Sequence, residues 1–319
     1  GKTDIPHEGA AMKKDLLSIL DLSREELREI LDDADQMKML RKEGRPHEFL
    51  YGKALALVFE KASTRTRISF EVGMAELGGH ALFLNPQDLQ IGRGEEIRDT
   101  ARVMSRFVSG MMIRAYKHST IEEFARNSSV PVINGLSDIE HPCQILADIM
   151  TMREHFGSIE GLKVTWIGDG NNVCNSLVLA SARAGFEITV ASPERYRISE
   201  AVVKRAVREG GMVTLHQNPI EAVKDAHVVV TDTWISMGEE SERDARIRAF
   251  KGFTVDNNLM KKADHDAIFL HCLPAHRGRE VTDEVIEGPQ SVVFDEAENR
   301  LHAQKAVLVK MIGRQIISP

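Results

Sequence analysis

Short apolar runs alternate with segments of helical periodicity along most of this chain. Runs rich in aliphatic residues predict strands in the first half, at residues 54–59, 80–84, 110–114 and 130–134. The same pattern predicts strands in the second half, at residues 162–167, 186–191, 226–231, 267–271 and 291–294. Most of these runs are separated by segments that predict helices. Alternation of strand and helix is typical of parallel sheets with helices on both faces.

One long helical segment interrupts this alternation and predicts a division of the chain. The segment covers residues 142–156, after which the alternation of strands and helices starts again. We therefore predict an α/β protein with two doubly wound parallel-sheet domains, residues 1–140 and 153–295, joined by interdomain helices. The C-terminal stretch, residues 300–319, is expected to form a helix that packs back on the first domain.

The N-terminal region contains a helix start signal behind a stretch without periodicity. Ser23 and Glu26 have the spacing of a capping box, which predicts a helix that continues to about Arg41. Residues 1–11 show no helical or strand period. We expect them to be an appended segment or a disordered arm.

Composition and charge exclude several classes of protein. The chain has 319 residues, of which 42% are hydrophobic and 28% charged, and its net charge is −7, so a nucleic-acid partner is not expected. It lacks a signal-peptide pattern, and no apolar run approaches the roughly 20 residues that a membrane span needs. Its three cysteines are too few and too scattered for a disulfide framework. We expect a cytoplasmic protein without a membrane partner, which must capture any anionic ligand by local positive charge.

The most informative local pattern is Ser63-Thr64-Arg65-Thr66-Arg67. It follows the predicted strand at 54–59 and precedes a helix predicted from about 66 to 77. The start of a helix presents unpaired backbone N–H groups and the positive end of the helix dipole. A helix cap requires only one hydroxyl, whereas this segment has three hydroxyls and two arginines. The segment therefore predicts a site for a phosphate-like dianion.

Further chemically distinctive residues follow other predicted strands. They are Arg114, the segment His141-Pro142-Cys143-Gln144, the segment from Asp232 to the Ser236-Met237-Gly238 loop, and the segment His271-Cys272-Leu273-Pro274. Each has an ordinary explanation by itself; a cysteine at a strand end, for example, is commonly a small buried side chain. Ligands of open α/β sheets bind beyond the carboxyl ends of the strands, so together these residues predict one shared site.

The turn after the strand at 162–167 permits more than one interpretation. Gly168-Asp169-Gly170 resembles the start of a dinucleotide-binding fingerprint, but Val173 and Cys174 occupy the region of its third glycine. Asn171 and Asn172 suit either a carboxylate or amino-acid ligand or simple helix capping, and both explanations remain open. A metal site is not predicted, because the Cys and His residues lack clustered ligand spacing. A serine hydrolase is not predicted, because the Gly-x-Ser-x-Gly elbow is missing.

These motifs resemble those of the carbamoyltransferase family. The resemblance rests on segments 63–67, 141–144 and 271–274, and it extends from about residue 16 to residue 312. Segments 232–238 and 271–278 are similar to the ornithine branch in particular. Ile145 departs from the family pattern, which has alanine after the His-Pro-Cys-Gln motif; we expect this change to affect helix packing more than chemistry.

The resemblance implies a role for each matching position. The residues implied to bind carbamoyl phosphate are Ser63, Thr64, Arg65, Thr66, Gln90, Arg114, His141, Gln144, Cys272, Leu273 and Arg300. Those implied to bind ornithine are Asn172, Asp232, Ser236 and Met237. The catalytic set is Arg114 and His141, directed at the carbonyl oxygen, with Asp232 and Cys272 orienting the amine. Gln90 matches a residue that reaches into the site of a neighbouring subunit.

The implied reaction transfers the carbamoyl group of carbamoyl phosphate to the δ-amine of L-ornithine, giving L-citrulline and phosphate. It needs no cofactor and no metal, and the implied assembly is a homotrimer or a multiple of trimers with sites at subunit interfaces. The direction of the reaction and the group that takes the proton remain open. The alternatives are a sister enzyme for aspartate, putrescine or an acylated ornithine, and a non-catalytic paralogue. Acidic Glu239-Glu240 after the 236–238 loop disfavours a dicarboxylate substrate.

Overall fold

The computed structural model describes residues 13–313. The expectation for residues 1–11, and the end of the predicted C-terminal helix beyond residue 313, lie outside the described residues. The strands are β1 (Ala54–Phe59), β2 (His80–Leu84), β3 (Gly110–Arg114), β4 (Val132–Leu136), β5 (Lys163–Ile167), β6 (Glu187–Ala191), β7 (Met212–His216), β8 (Val228–Thr231) and β9 (Ile268–His271).

Helices lie between most of these strands and at both ends of the described chain. They are α1 (Arg24–Lys42), α2 (Thr64–Glu76), α3 (Ile97–Met104), α4 (His118–Asn127), α5 (Pro142–Phe156), α6 (Asn172–Ala184), α7 (Glu200–Arg208), α8 (Pro219–Ala222), α9 (Arg243–Ala249), α10 (Asn257–Met260), α11 (Asp283–Ile286) and α12 (Val293–Ile312). Short 3₁₀ turns are Ile19–Asp21, Gln90–Arg93, Glu194–Tyr196 and Glu240–Glu242. The capping box of Ser23 and Glu26 opens α1 as predicted. Within residues 13–313, no helix is long and apolar enough to cross a membrane.

The strands form two separate parallel sheets. The first has the order β2-β1-β3-β4 and the second β7-β6-β5-β8-β9, and every neighbouring pair is parallel. The predicted fold class, two doubly wound parallel sheets with flanking helices, is confirmed. In each sheet the strand order reverses beside an inner strand, β1 in the first and β5 in the second. Such switch points open a crevice at the carboxyl ends of the strands, where ligands bind.

Two long helices connect the sheets. Helix α5 follows β4 directly, and its residues from Pro142 to Met152 are all buried. Helix α12 packs against α5, α1 and α2, and it also touches β9 of the second sheet. Apolar side chains from both sheets and from these helices belong to one continuous core. The core thus fixes the carboxyl ends of the two sheets relative to each other.

Two predictions about the second sheet are wrong. Strand β7 was not predicted, because it lies at the sheet edge and leaves Met212 and Leu215 about half exposed, which removes the continuous buried run that marks inner strands. The strand predicted at 291–294 is absent from the described residues, where Ser291 forms only an isolated bridge with Phe269. Helix α12 begins at Val293 instead, and the buried pair Val292-Val293 had produced the false strand signal.

Candidate active site

A cleft of about 490 Å³ lies between the carboxyl ends of the two sheets. The predicted site residues that line it are Ser63, Arg65, Thr66, Arg114, His141, Gln144, Asn172, Asp232, Ser236, Met237, Cys272, Leu273 and Arg300. These residues are up to 237 positions apart in sequence, from Ser63 to Arg300, and only the fold brings them together.

Two residues implied to bind carbamoyl phosphate, Thr64 and Gln90, do not line this cleft, and neither does Arg67 of the predicted anion segment. Thr64 is the first residue of α2 and its side chain is exposed. Gln90 starts an exposed 3₁₀ turn, so in a single chain it stays apart from the site. Arg67 pairs with Glu71 at 3.2 Å and lies 3.7 Å from the centre of the Phe83 ring. Including Arg67 in the anion site was therefore wrong, because two helical residues turn the chain by about 200° and place Arg67 on the face of α2 opposite Arg65.

The N-terminus of α2 forms the candidate anion-binding side of the cleft. Ser63 caps the helix, with the Thr66 backbone N–H donating to Ser63 Oγ at 3.2 Å. The Ser63 hydroxyl donates to Thr66 Oγ1 at 3.0 Å, and Arg300 Nη2 donates to the same oxygen at 3.2 Å. Ser63 therefore serves as the cap, and Arg65, Thr66 and Arg300 line the cleft beside it. This arrangement suits a phosphate group.

Arg114 lies at the end of β3, where the pairing with β4 shifts register between Ile113 and Arg114. Its side chain is buried, and Arg114 Nε has no hydrogen-bond partner in the part of the chain that the structure describes. Burial and the nearby Arg300 guanidinium lower the pKa of Arg114 to about 10, so the side chain stays charged at pH 7. An unpaired buried donor on a cationic group is poised to bind an anion or a polarised carbonyl oxygen.

His141 precedes α5 and is held by its backbone, whose N–H donates to Ser176 Oγ at 2.8 Å. Its ring is buried, and Nδ1 finds no partner among the described residues. Burial, together with the charges of Arg300 and Arg114, holds the pKa of His141 well below its usual range. The imidazole is therefore neutral at pH 7. It offers one N–H donor and adds no positive charge to those of Arg114 and Arg300.

Arg300 and Gln144 join the anion side to the buried interior. Arg300 Nη1 donates to Gln144 Oε1 at 2.9 Å, and Arg300 Nε donates to Gln304 Oε1 at 2.9 Å. Gln304 in turn donates to Ser69 Oγ on α2 at 2.7 Å. Arg300 is thus oriented by partners from α2, α5 and α12, which favours a fixed guanidinium over a mobile one.

Asp232 is the centre of the opposite side of the cleft. Directly after β8, its carboxylate accepts hydrogen bonds from Asn171 Nδ2 at 2.8 Å and from the Thr233 backbone at 2.8 Å. The Cys272 thiol donates to Asp232 Oδ1 at 3.2 Å. Burial and the carboxylates of Asp232 and Glu296 raise the pKa of Cys272 well above its usual range. Cys272 therefore stays a thiol, which excludes a thiolate nucleophile at neutral pH.

The structure distinguishes the two asparagines that sequence reasoning left open. Asn171 caps α6, since the Cys174 backbone N–H donates to Asn171 Oδ1 at 3.0 Å. Asn172 donates from Nδ2 to the Ser137 carbonyl at 2.9 Å. Ser137 follows β4 of the first sheet, so Asn172 bridges the two sides of the cleft. Capping explains Asn171, whereas the placement of Asn172 is a feature of the cleft.

A cluster around Arg246 lines the cleft and was missed from sequence. Arg246 is 7% exposed and lies 3.2 Å from Asp169 Oδ2 and 2.9 Å from Glu239 Oε1. Its guanidinium also lies 4.5 Å from the centre of the Tyr196 ring. Burial raises the pKa of Asp169 to about 7, although Arg246 acts in the opposite direction. The turn after β5 could have suggested Asp169, but nothing in the sequence around α9 sets Arg246 apart from its neighbouring arginines.

The structure also brings potential metal donors together. One potential metal-ligand atom from each of three residues, Asp232, His271 and Cys272, lies within 4.8 Å of the other two atoms. However, His271 Nε2 pairs with Glu280 at 2.8 Å, and His271 Nδ1 accepts the Leu273 backbone N–H at 2.8 Å. Because both ring nitrogens are engaged, we assign no metal ligand to this group.

Comparison with known proteins gives a consistent result over most of the chain. The family model described as the carbamoyl-P binding domain of aspartate/ornithine carbamoyltransferase matches residues 14–154, and that described as the Asp/Orn binding domain matches residues 160–311. The ornithine carbamoyltransferase of Methanoculleus marisnigri is 63% identical over 95% of this chain and 98% of its own length. A relative from Pyrococcus furiosus, named as an anabolic ornithine carbamoyltransferase, is 54% identical over 94% of this chain and 96% of its own.

Solved structures agree with the sequence comparison. The ornithine carbamoyltransferase structure from Pyrococcus furiosus has a TM-score of 0.91 at 54% identity, covering 95% of this chain and 98% of that one. The two parallel sheets and their shared cleft define a two-sheet α/β ligand-binding protein. With both family models matched, the chain belongs to the aspartate/ornithine carbamoyltransferase family.

Proposed function

We propose that this chain transfers the carbamoyl group of carbamoyl phosphate to the δ-amine of L-ornithine, releasing L-citrulline and phosphate. The observation that carries the proposal is the composition of the cleft. Its first-sheet side has hydroxyls and cations around the α2 N-terminus, and its second-sheet side has carboxylates and amides around Asp232. A dianionic donor and a cationic acceptor require two such sides in one cavity. The close relatives named as ornithine carbamoyltransferases support the same assignment.

The proposed chemistry is a direct attack of the amine on the carbonyl carbon. A free amine has a pKa near 10 and is almost fully protonated at pH 7, so the site must favour the neutral form before attack. Attack forms the C–N bond and a tetrahedral oxyanion, whose collapse breaks the C–O bond to the phosphate. The phosphate leaves with that electron pair, and the attacking nitrogen loses its extra proton, for which the leaving phosphate is one available acceptor. In our proposal, charged Arg114 and neutral His141 donate hydrogen bonds to the oxyanion, a type of contribution typically worth about 3–4 kcal/mol for each donor.

The remaining predicted residues hold the two substrates in line. Ser63, Arg65, Thr66 and Arg300 bind the phosphate, and Gln144 accepts a hydrogen bond from the carbamoyl NH₂ group. Asn172, Asp232, Ser236 and Met237 bind ornithine, and Cys272 keeps Asp232 in place as a neutral donor. Holding reactants in this way lowers the entropic part of the barrier, and closure of the cleft would expel water.

We propose that the subunits assemble as a homotrimer or a multiple of trimers. Thr64 and Gln90 remain assigned to carbamoyl phosphate in this proposal, Thr64 through its position at the start of α2 and Gln90 by reaching a neighbouring subunit's site. The exposure of Gln90 in a single chain is compatible with that role. Mass measurement in solution tests the assembly. A monomer with full activity would contradict the interface role of Gln90.

The proposal includes the division of the chain into residues 1–140 and 153–295, and a cytoplasmic location. The match of separate family models to residues 14–154 and 160–311 supports the division. We also propose that the enzyme works toward citrulline in arginine metabolism, and the name of the Pyrococcus furiosus relative supports this direction. Cell fractionation and the arginine requirement of a strain lacking the gene test the location and the direction.

The deciding experiment is a citrulline assay with carbamoyl phosphate and three acceptors in parallel: ornithine, putrescine and aspartate. We expect carbamoylation of ornithine only. Absence of citrulline from ornithine would reject the proposed function, and product from putrescine or aspartate would reassign the chain to a sister activity. Inactivity with all three acceptors, despite tight binding of carbamoyl phosphate, would favour a non-catalytic paralogue.

A further inference from the structure

Behind the cleft, two acidic side chains lie against each other in the protein interior. Asp148 on α5 and Glu296 on α12 are each 1% exposed, and their carboxyl groups are close enough to hydrogen-bond. Neither residue lines the cleft. Two ionised carboxylates cannot remain in contact in such a place without a very large cost, so one proton must be retained.

Gln144 connects this pair to the cleft. Its amide nitrogen Nε2 donates to Asp148 Oδ1 at 2.9 Å and to Glu296 Oε1 at 3.2 Å. Both amide hydrogens are therefore used on the buried side. Its oxygen Oε1 accepts from Arg300 Nη1 at 2.9 Å, and Arg300 is a lining residue of the cleft. The amide is thus oriented with its acceptor toward the cleft and its donors toward the acids.

The count of hydrogen-bond donors favours Asp148 as the acid that carries the proton. Glu296 Oε2 accepts the His271 backbone N–H at 2.8 Å, so both Glu296 oxygens already have donors. Asp148 Oδ2, by contrast, has no partner within residues 13–313. A proton on that oxygen supplies the missing hydrogen bond, donated by Asp148 to Glu296.

The helix positions agree with this count, whereas the surrounding charges oppose it. Glu296 is in the first turn of α12, where the helix dipole favours a negative charge, whereas Asp148 is in the middle of α5. Burial raises the pKa of both acids. Arg300 and the hydrogen bond between the two acids lower the pKa of Asp148, and the same hydrogen bond raises that of Glu296, so these two influences favour a proton on Glu296. The two N–H donors on Glu296 and the missing donor at Asp148 Oδ2 act in the opposite direction, and we give them more weight because an unpartnered buried oxygen is costly.

We propose that Asp148 and Glu296 share one proton, carried on Asp148 Oδ2, and that this pair is a positioning device for the Gln144 amide. The device keeps the Gln144 oxygen directed at the carbamoyl group, and it thereby selects a donor with an NH₂ group over one with a methyl group. This selectivity rests on the proposed function, whereas the location of the proton does not.

The two acids respond differently to neutral substitutions of the same size. In Asp148→Asn, the amide NH₂ replaces the acid O–H as donor to Glu296, and the amide oxygen still accepts from Gln144. In Glu296→Gln, the new NH₂ group faces either the Gln144 NH₂ or the His271 N–H, so two donors meet. We expect Glu296→Gln to raise the KM for carbamoyl phosphate about 10- to 100-fold. The increase caused by Asp148→Asn should be at least ten times smaller.

The ratio of carbamoyl phosphate to acetyl phosphate affinity separates positioning from general damage. The two compounds differ by NH₂ against CH₃, and both can be titrated calorimetrically into the wild-type protein and the variants. We expect Glu296→Gln to lose most of the preference for carbamoyl phosphate and Asp148→Asn to keep most of it. An equal loss of affinity for both ligands in Glu296→Gln, or greater damage from Asp148→Asn, would overturn the proposal.

The proton itself is measured without any substrate. Infrared difference spectra of wild type against Asp148→Asn at pH 7 should show the loss of one carboxylic-acid C=O band, and loss of a carboxylate band instead would overturn the assignment. Neutron diffraction of deuterated wild-type crystals gives the same answer even if the variants fail to fold. A deuteron on Asp148 Oδ2 is expected; a deuteron on Glu296, or none between the acids, contradicts the proposal. Both measurements remain informative if the citrulline assay fails.

Discussion

The two sides of the cleft differ in charge and in how they are built. The first-sheet side places Arg65 and Arg114, together with Arg300 from α12, around a helix N-terminus. The second-sheet side places Asp169, Asp232 and Glu239 in the same cavity. Arg195, Arg197 and Arg246 balance these acids, so in a chain with a net charge of −7 only the first-sheet side of the cavity is net positive. Local charge, and not net charge, determines which ligand each side can hold.

The sides also differ in what occupies their polar groups. Arg114 Nε and His141 Nδ1 lack partners among the described residues. On the other side, Asp232 accepts three hydrogen bonds, and Arg246 contacts several acids and a backbone carbonyl, although Arg246 Nε also lacks a hydrogen-bond partner among the described residues. In our proposal the first side is therefore preorganised to bind a reacting oxygen, whereas the second is a connected network suited to hold an amine in position.

Removing Arg114 should produce the largest effect. We expect Arg114→Ala to fold normally and to lose about 10²- to 10³-fold in kcat, because the oxyanion loses its charged donor. Steady-state citrulline kinetics with circular dichroism as a folding check measure this. Arg208→Ala, at the exposed end of α7, is the matched control and should match wild type. A kcat for Arg114→Ala near the control value would contradict the role assigned to Arg114.

Changing Asp232 should weaken the opposite side selectively. In Asp232→Asn the amine loses a charged acceptor, and we expect kcat/KM for ornithine to fall about 10- to 100-fold. The Kd of carbamoyl phosphate should change less than threefold, because its proposed contacts lie on the first-sheet side. Kinetics at varied ornithine and calorimetry with carbamoyl phosphate test both statements. Equal losses for the two ligands would mean that the sides do not act separately.

The two arginines after Ser63 provide a comparison within the first side. Arg65 lines the cleft, whereas Arg67 is on the outer face of α2 with Glu71 and Phe83. We expect Arg65→Ala to raise the KM for carbamoyl phosphate about tenfold or more. The increase caused by Arg67→Ala should be several times smaller. Steady-state kinetics at varied carbamoyl phosphate, measured on each purified variant in its assembled form, test this difference. Equal effects would place Arg67 in a site that a single chain does not reveal.

The smallest effect concerns stability on the second side. The pKa of Asp169 is raised from 3.8 to about 7, so the protonated acid stabilises the folded state fully below pH 3.8. That contribution, on the order of 4 kcal/mol at most, is lost as pH rises through about 7. Relative to Asp169→Asn, the wild-type free energy of unfolding should therefore decrease between about pH 4 and 7 and level off above. Thermal unfolding across this range measures it, and parallel curves for the two proteins would disprove the raised pKa.

Local sequence signals predicted the elements that carry the site well. Strands β1 and β3 and helices α5 and α6 start and end where their patterns predict. The apolar runs are buried on both faces, and Pro142 and Asn171 mark the two helix starts clearly. The motifs at the strand ends could be placed in one cleft because parallel strands direct their carboxyl ends to the same edge.

The failures have a common physical cause in tertiary context. Strand β7 is exposed, so its own residues carry no burial signal. The start of α12 lacks a side-chain capping signal, because Val292 at the N-cap has no hydrogen-bonding side chain. Packing against α5 stabilises these first turns instead. The contact between Glu296 on α12 and Gln144 on α5 also forms only when the two helices pack, so the sequence gives no sign of it. Gln144 and Asp148, by contrast, have a helical i, i+4 spacing that predicts their contact.

The sequence by itself determined the fold class, the family and most of the residues that line the cleft, because strand periodicity and strand-end motifs are local properties. Only the tertiary structure decided how those residues are partnered. It turned Arg67 away from the cleft, left donors of Arg114 and His141 without partners, and brought Arg246 and Glu296 to the site from distant helices. Partnership depends on contacts between residues far apart in sequence, such as Gln144 and Glu296, which are 152 positions apart. No local pattern encodes the distance between two atoms that meet only after folding.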